Sequence, residues 1–409
     1  MKWNQLILSF ILTALCISAV PAVSAAKSPG GFTGDEIKNL LPLLRQHDAM
    51  GLTEYDDKGA PKSMTLAIRI AAKRETVFQL FTDPANFYYV STLFKENTVL
   101  DEHQNAMVWS WASRHKILSV TGKNSIALYP PRRADVTIEN SSVGNGTFTF
   151  QFYNDKDTHT ILVISGFLNV DSSEWLIKFL VGNNPSMKQA MNIAIGLVVL
   201  KGFKELAERT ERKRPQRPHR TFGESGGVPQ LLGTKELTAL KPYLLKGQLF
   251  ICDSHKQGRL KQATVVELVD SSKEAFIEAA AVPRNYEKRI GAISNVKVIK
   301  QEELRTEFSW TIGLSIFGLN SVNALQREPN TVMLSAISGD LSGAVWRWQV
   351  EALGENRSVV AYHAFADVAE MSPILKSTVK REPYLEHGLV LGSNIVMMKA
   401  MKQIAEESK

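Results

Sequence analysis

The chain has 409 residues, of which 44% are hydrophobic and 22% are charged, and its formal net charge is +7 at pH 7. Its two cysteines, Cys16 and Cys252, exclude an internal disulfide framework, because removal of the N-terminal segment would leave only one of them. We therefore expect each folded unit to be stabilised by its own apolar core, which about 180 residues can provide.

The first predicted element is a targeting segment in residues 1–26. Lys2 is followed by the apolar run LILSFILTALCISAV and the small-residue stretch AVSA, which together are typical of a cleaved secretory signal peptide. An uncleaved membrane anchor is the alternative, but the apolar run is shorter than the ~20 residues of a spanning helix. We expect export, and a secreted chain without disulfides suits a bacterial periplasm.

The residues that follow alternate between helical and extended patterns. IKNLLPLLRQ is predicted as a helix, MTLAIRI as a strand, and RETVFQLFTD as an amphipathic helix that ends at Pro84. Four alternating stretches come next, NAMVWSWASRHKI, ADVTIENS, GTFTFQFYN and HTILVISGFLNV, before a long helix from about Ser186 to Glu208. This helix can bury its apolar side only against the strands. The order predicts an α+β fold in which an antiparallel sheet wraps round the long helix and leaves an internal groove.

The whole pattern occurs twice. An offset of 199 places Pro84 on Pro283 and Trp111 on Trp310, and near the ends an offset of 198 aligns LVVLKGFKELAE with IVMMKAMKQIAE. A period of about 200 residues is too long for a solenoid unit. We predict two tandem domains, 28–209 and 228–409, joined by a basic linker at 210–227.

The stretch RETVFQLFTDPANFYYVSTLFKENTVLD resembles the START and polyketide-cyclase superfamily, also called SRPBCC. The resemblance covers nearly the whole of each repeat, and the long C-terminal helix lies where that helix-grip fold has it. The second copy departs from the pattern at Val282, which replaces the Asp before the proline. The resemblance implies an apolar cavity that holds lipids, sterols, polyketides or similar molecules, although a minority of members are cyclases or other enzymes. The fold alone does not choose between these functions.

Strand alternation predicts which side chains would line such a cavity. The candidate ligand-binding residues are aromatic residues on the predicted inward faces: Trp111, Phe148, Phe150, Trp310, Trp346 and Trp348. Two histidines on predicted strands, His115 and His363, are candidate hydrogen-bond partners for a ligand. Closed core is the alternative for the aromatic residues, and bonds to neighbouring protein groups are the alternative for the histidines. Neither histidine recurs in the other repeat.

The sequence contains no catalytic or metal-binding motif in a suitable context. GESGG at residues 223–227 fits G-x-S-x-G, but the flanking RKRPQRPHRTF and VPQLL are not the strand and helix that a nucleophilic Ser225 needs. Cys252 and His255 are two metal-ligand types at close range, which do not make a zinc site. HExxH, Walker and dinucleotide-binding patterns are absent from the sequence. We therefore expect no metal, no cofactor and no catalytic serine.

Positive charge is concentrated in the predicted linker. Between Arg209 and Arg220 there are six basic residues and one acidic residue, a net charge of +5. A solvated, extended linker explains this charge, and so does attraction to an anionic membrane, near which each basic residue contributes ~1 kcal/mol. The candidate membrane-contact residues are Arg212, Lys213, Arg214 and Arg217. Export argues against nucleic acid as the partner.

Two classes of function are consistent with the sequence. The preferred hypothesis is an exported, non-enzymatic protein that binds or transfers a hydrophobic small molecule. The alternative is a cyclase- or aromatase-type enzyme, which would need a carboxylate, histidine or tyrosine inside the cavity. In a third hypothesis, one repeat has lost its cavity and serves as a docking domain.

Overall fold

The computed structural model describes residues 32–114, 119–173, 185–213, 226–255, 258–314, 317–382 and 384–407. The predicted signal peptide lies outside them, so export stays a prediction. The helices of the first repeat are α1 (Gly34–Leu44), α2 (Arg74–Thr82), α3 (Pro84–Val90) and α4 (Pro185–Glu211). Its strands are β1 (Ala49–Tyr55), β2 (Pro61–Ile70), β3 (Glu96–His103), β4 (Ala106–Arg114), β5 (Ser119–Tyr129), β6 (Arg133–Glu139), β7 (Asn145–Asn154) and β8 (Thr160–Asn169).

The second repeat has the same order of strands. Its helices are α5 (Thr234–Leu244), α6 (Lys273–Ala280), α7 (Pro283–Arg289), α8 (Val368–Met371), α9 (Pro373–Arg381) and α10 (Leu385–Glu407). Its strands are β9 (Gly247–Ser254), β10 (Leu260–Val269), β11 (Ile293–Gln301), β12 (Arg305–Leu314), β13 (Phe317–Glu328), β14 (Thr331–Gly339), β15 (Val345–Ala352) and β16 (Ser358–Phe365). The exact domain boundaries stay predictions.

The sixteen strands of the described residues form one antiparallel sheet. Its order is β11-β12-β13-β14-β15-β16-β10-β9-β1-β2-β8-β7-β6-β5-β4-β3. Each repeat contributes eight adjacent strands, so neither repeat completes its sheet with a strand from the other. The long helices α4 and α10 pack on β2 and β10 of their own repeats. The predicted α+β fold of two tandem helix-grip units is confirmed.

Pro84 and Pro283 each begin a short helix, α3 or α7. Proline suits the first helical position because its missing N–H would have no intrahelical acceptor there. The sequence predicted that Pro84 ends the preceding helix, and α2 does end directly before it, because the residue that precedes a proline is disfavoured in the helical conformation and Asp83 is extended. Helix α2 ends at Thr82, and the side chain of Asp83 then caps α3 by accepting from the backbone N–H of Ala85 at 2.9 Å.

Both prolines begin the same pattern, Pro-x-Asn-aromatic, at residues 84–87 and 283–286, and its asparagine fixes the angle between two consecutive helices. The side-chain amide of Asn86 donates to the carbonyl of Leu80 at 3.1 Å. In the second repeat, the amide of Asn285 donates to the carbonyl of Ala279 at 2.9 Å. Because the two bonds join equivalent residues, the motif recurs for a structural reason.

The repeats join edge to edge through β1 and β9, which pair in antiparallel fashion. One face of this seam is covered by α1 and α5. The other face is covered by α4 and α10, which pack against each other through small residues. A Cβ added at Gly388 or Gly392 of α10 would collide with Ala194 or Ala190 of α4. The four central strands are therefore buried on both faces, and the two repeats share a continuous core.

Candidate ligand site

The interior of the first repeat is filled with aromatic rings near α2 and α3. The ring centroid of Phe81 lies 4.5 Å from that of Phe150 and 5.4 Å from that of Phe203. Phe87 lies 5.0 Å from Phe203 and 4.8 Å from Trp109. These contacts close this end of the interior. Phe150, a predicted ligand-binding residue, is part of this packed cluster.

Trp111 has a fixed orientation against the sheet. Its Nε1 donates to Oδ1 of Asn124 at 3.0 Å. Its indole covers Gly122, where an added Cβ would collide with the ring. A larger residue at position 122 would therefore displace the tryptophan. Trp111 is buried and faces the interior, as strand alternation predicted.

A group of half-buried apolar side chains lies where the sheet of the first repeat approaches the beginning of α4. Five half-buried apolar side chains pack here against Leu168 and Val170. We call them the apolar mouth: Ile138, Val143, Phe148, Met191 and Ile195. They come from β6, β7, the loop between these strands and α4. The apolar mouth therefore lies between the sheet and the long helix, where a groove was predicted.

Two buried polar atoms in this interior have no hydrogen-bond partner among the described residues, namely Oγ of Ser113 and Nε1 of Trp109. Ser113 is 1% exposed and lies two residues beyond Trp111 on the inward face of β4. A buried polar group left without a partner costs ~1–3 kcal/mol. Such groups are suited to bind a polar atom of a ligand, because ligand pockets combine apolar walls with few polar groups.

The interior of the second repeat is packed tightly around its tryptophans. Nε1 of Trp310 donates to Oγ of Ser321 at 2.7 Å, and Nε1 of Trp348 donates to the hydroxyl of Tyr286 at 3.0 Å. The ring of Trp346 lies 5.9 Å from that of Trp310. All three tryptophans are buried. The described residues around these three predicted ligand contacts therefore form closed core.

His363 faces away from the interior of the second repeat. Its neighbour Tyr362 faces inward and stacks on Trp348 at 3.8 Å, so the alternation of β16 places His363 on the opposite face. There its Nδ1 lies 2.9 Å from Oγ1 of Thr264, and its Nε2 lies 3.1 Å from Oε1 of Gln349. Burial lowers the pKa of His363 to about 3, so its imidazole is neutral. The prediction that His363 lines the cavity was wrong, because neighbouring strands bind both ring nitrogens.

Several predicted residues lie outside the described residues. His115 falls in 115–118, and Arg214, Arg217 and Ser225 fall in 214–225. Arg212 and Lys213 lie just after α4 and are exposed. The predicted membrane contact and the predicted role of His115 therefore stay predictions.

Cys252 is a core residue in the structure. Burial raises the pKa of its thiol to about 12, so the thiolate that binds metals does not form at neutral pH. The described part of the chain contains no group of three or more metal-ligating side chains. It also contains no helix that is both long and apolar enough to span a membrane.

A shallow polar depression of ≈ 250 Å³ lies over β11–β14 in the second repeat. Its lining includes Lys297, Ser309, Thr311, Asn320 and Ser338. The predicted ligand-binding residue Trp310 and its hydrogen-bond partner Ser321 also contribute to the lining. Ser309 and Thr311 alternate with the buried Phe308 and Trp310, so the depression is on the outward face of the sheet. The depression is therefore not the predicted internal cavity, although Trp310 contributes to its lining.

A polar cluster crosses the seam between the repeats, and the sequence analysis missed it. Lys201 and Lys204 of α4 both bind the carboxylate of Asp48, the latter at 2.6 Å. Lys201 also donates at 2.7 Å to Oγ of Ser254, which lies 2.9 Å from Nε2 of His387. Burial alone would raise the pKa of Asp48, but the charges of the two lysines hold it well below its ordinary value. The cluster ties the long helix of the first repeat to β9 and α10 of the second.

The sequence did contain a signal for this cluster. The two lysines of α4 recur in α10 as Lys399 and Lys402, at an offset of 198. Lys402 donates to Oε1 of Glu267 at 2.7 Å, and Lys399 lies 4.5 Å from the ring centroid of Tyr55 across the seam. Two lysines kept in the same positions of an otherwise apolar helix indicate buried ion pairs.

The apolar mouth was only partly predicted. Phe148 was among the predicted ligand-binding residues, whereas Ile138, Val143, Met191 and Ile195 were not. Ile138 belongs to the predicted strand ADVTIENS, so its inward face could have been found by alternation. Val143 lies in a loop, and the exposure of the two α4 residues depends on how the helix packs.

No protein-family model matches the chain, and no curated protein matches it. The solved structure of the di-domain ARO/CYC StfQ from the steffimycin biosynthetic pathway is 11% identical, with 84% of this chain and 98% of that chain covered and a TM-score of 0.32. Zhui aromatase/cyclase from Streptomyces sp. R1128 is 16% identical, with 36% and 93% covered and a TM-score of 0.31.

A START superfamily protein from Mycobacterium smegmatis is 13% identical, with 36% of this chain and 99% of that chain covered and a TM-score of 0.28. START proteins and aromatase/cyclases are the kinds of protein found in the superfamily that the sequence resembles. At such TM-scores the similarity does not by itself assign a fold or a function. The helix-grip architecture rests on the element order and strand topology described above.

Proposed function

We propose that this protein binds or transfers a hydrophobic small molecule, such as a lipid, sterol or polyketide-like compound, in the interior of its first repeat. The ligand enters at the apolar mouth and lies between α4 and the inward faces of β4–β8. The second repeat supports the first through the shared core. In this proposal the first repeat binds the ligand, and the second repeat is the one that has lost its cavity.

The main support for the proposal is a difference between two parts of the interior of the first repeat, the part near α2 and α3 and the part near the beginning of α4. Near α2 the aromatic rings are in mutual contact, whereas the apolar mouth is half-buried and Ser113 lies buried without a hydrogen-bond partner among the described residues. Covering apolar surface contributes ~25 cal/mol per Å², so a long hydrocarbon group would gain most from this end. A hydroxyl or carbonyl on the ligand would bind Ser113 Oγ.

The same interior gives little support to the cyclase or aromatase alternative. The described inward-facing residues of β2 and β4–β8 in the first repeat include no carboxylate, histidine or tyrosine. General acid–base catalysis needs such a group within hydrogen-bond reach of the substrate. His115, which lies outside the described residues, is the residue on which that alternative depends.

The proposal includes export to a bacterial periplasm, supported by the signal-peptide pattern of residues 1–26. It also includes peripheral contact with an anionic membrane through the basic linker. A carrier of apolar cargo has to approach a membrane to load and unload. The concentration of positive charge between Arg209 and Arg220 supports this contact.

The test is binding of a fluorescent fatty-acid analogue to the purified protein. Ile195→Trp fills the apolar mouth, and Ser393→Trp places the same residue at the equivalent position of the second repeat as a matched control. We expect Ile195→Trp to weaken binding about tenfold or more, equivalent to ~1.4 kcal/mol, and Ser393→Trp to leave it unchanged. Equal affinity in both variants, with both folded, would contradict a site in the first repeat.

A further inference from the structure

The two ends of the sixteen-stranded sheet are open edges. Among the described residues, β3 pairs only with β4, and β11 pairs only with β12. β3 and β11 are equivalent strands of the two repeats, so the molecule presents the same type of edge at both ends. Natural edge strands usually carry features that prevent pairing with another chain, because their backbone N–H and C=O groups are free to pair.

Both edges carry such features, namely charged residues and a shift in strand register, but both also expose an equivalent pair of large apolar residues. Val99 and Leu100 of β3 are 45% and 56% exposed, and Val298 and Ile299 of β11 are 44% and 58% exposed. The offset of 199 relates the two pairs. Each pair also lies at a shift in strand register, between Val99 and Asp101 in β3 and between Val298 and Lys300 in β11. The exposed apolar pair has thus been kept in both copies, although it buries little within the chain.

The charges that flank the two apolar pairs have opposite sign. β3 contains three acidic residues and no lysine or arginine, whereas β11 contains two lysines and no acidic residue. Asp101 occupies the position equivalent to Lys300. Asp101 and Lys300 have side chains that are 54% and 64% exposed. Asp101 lies 3.3 Å from His103, and Lys300 lies 2.5 Å from Glu302 just beyond β11. The residues of the β3 strand itself are therefore acidic, and those of the β11 strand itself are basic.

We propose that a second copy of this chain docks on each edge, with the β3 edge of one copy against the β11 edge of the next. If the two strands pair in antiparallel fashion with Leu100 opposite Val298, Asp101 lies opposite Lys297. If they pair in parallel with Val99 beside Val298, Asp101 lies beside Lys300. A contact between two β3 edges or two β11 edges would bring like charges together, which is unfavourable in neighbouring strands.

Head-to-tail contacts of this kind are heterologous, so they form open chains or closed rings instead of a symmetric dimer. The contact continues the sheet from one molecule to the next and covers the exposed apolar pairs. It uses the outer ends of the sheet, so it does not depend on the proposed ligand site.

The test is sedimentation velocity of the full chain over a range of concentration and salt. We expect the wild-type protein to form concentration-dependent oligomers at low salt that dissociate at high salt, because exposed ion pairs are screened. The double variant Asp101→Lys/Glu102→Lys makes both edges basic, and Lys297→Glu/Lys300→Glu makes both edges acidic. We expect each variant alone to be monomeric and an equimolar mixture of the two to associate again.

Three results would overturn the proposal. The wild-type protein could stay monomeric at every concentration and salt, either variant could associate alone as strongly as the wild type, or the mixture of two folded variants could fail to associate. Circular dichroism and thermal melts check that the variants are folded. All four substituted side chains are exposed, so these substitutions should leave the fold intact.

Discussion

Gly51 and Phe250 lie opposite each other in the antiparallel pair β1–β9 and occupy equivalent positions of the two repeats, 199 residues apart. The approximate two-fold axis that relates the repeats therefore passes between these two residues. The ring of Phe250 covers Gly51, and a Cβ added there would collide with the ring and lie 2.7 Å from the carbonyl oxygen of Thr65. The two repeats therefore differ at the position nearest the two-fold axis, because the first has glycine there and the second has phenylalanine.

Gly51→Ala is expected to destabilise the protein. The new methyl group must displace the ring of Phe250, and overpacking of a dense core costs ~1–3 kcal/mol. Urea unfolding measures the loss. Gly291→Ala is the matched control, since no atom lies within 4 Å of an added Cβ there. In Gly51→Ala/Phe250→Leu, the smaller side chain should recover part of the loss, and strict additivity of the two substitutions would argue against direct contact.

Asp48→Ala is expected to cost about 3–5 kcal/mol at neutral pH, because it removes the carboxylate from a buried ion pair. Lys201 would keep a charge on a side chain that is 2% exposed. Urea unfolding again measures the change in the free energy of unfolding. The control is Asp35→Ala, whose ion pair with Lys38 is fully exposed and should contribute little. An equal effect of the two substitutions would show that the seam cluster does not stabilise the fold.

The contribution of Asp48 should also depend on pH in one direction. Its pKa is well below the ordinary value in the folded state, so the unfolded state binds the proton more tightly. The stabilisation is therefore fully present above the unfolded pKa of about 3.9 and is lost as pH falls through the folded pKa. The stability difference between the wild type and Asp48→Ala should shrink in acid. A difference that grows as pH falls would contradict the assigned charge states.

His47 should show the opposite dependence on pH. Its Nδ1 lies 3.0 Å from Oδ1 of Asp253 and its Nε2 lies 3.1 Å from Oε1 of Glu236, both in the other repeat. Burial lowers its pKa, but the hydrogen bonds and charges of the two carboxylates outweigh burial and raise it. The stabilisation is thus present below the unfolded pKa of about 6.5 and is lost as pH rises through the folded pKa.

Urea unfolding of the wild type and His47→Gln at pH values on either side of the His47 pKa tests this expectation. The stability difference should be largest in mild acid and should decrease toward alkaline pH. His103→Gln, which changes an exposed histidine, controls for general effects of histidine removal. A constant difference between the wild type and His47→Gln across this range would show that His47 is not a charged bridge between the repeats.

Periodicity predicted an antiparallel sheet wrapped round a long helix, because amphipathic segments show which face they bury, and the family resemblance implied the helix-grip fold. The segment AMGLTEY, which forms β1, shows no such alternation, because the strand lies between two helical layers and is buried on both faces at its first five positions. A strand buried on both faces lacks the alternation of a half-buried strand. The junction between the repeats, with its ion pairs, was therefore not predicted.

The candidate site was predicted less completely than the fold. Trp111 and Trp310 face their interiors, as alternation indicated, but neighbouring rings and hydrogen bonds decide whether a side chain meets a ligand or fills core. His363 illustrates this limit, because its burial was apparent from the apolar strand whereas its face depended on strand register. The half-buried state of Ile195 follows from the position of α4, which no local pattern encodes.

The basic linker should bind anionic vesicles in a salt-dependent manner. Replacing Arg212, Lys213, Arg214 and Arg217 by Gln should remove most of this binding in a vesicle co-sedimentation assay. Binding of the wild type should weaken steeply as added salt shortens the Debye length from about 10 Å at about 0.1 M to about 3 Å at about 1 M.

A control variant removes the same charge elsewhere on the surface. It replaces four exposed basic residues by Gln: Lys58, Lys73, Lys235 and Arg284. If both variants lose binding equally, net charge and not the linker is responsible. If neither loses binding, membrane contact would have to use an exposed apolar surface elsewhere, such as the one that Tyr88 presents on α3.

Native mass spectrometry of the purified protein tests the central claim most directly. The account predicts that the wild-type protein carries an additional lipid-like mass at up to one molecule per chain, that Ile195→Trp loses it, and that Ser393→Trp keeps it. Solvent extraction of the wild type should release the same compound. A wild-type protein that is folded, carries no added mass and takes up none from a mixed lipid extract would contradict the account, as would a bound mass that Ile195→Trp retains in full.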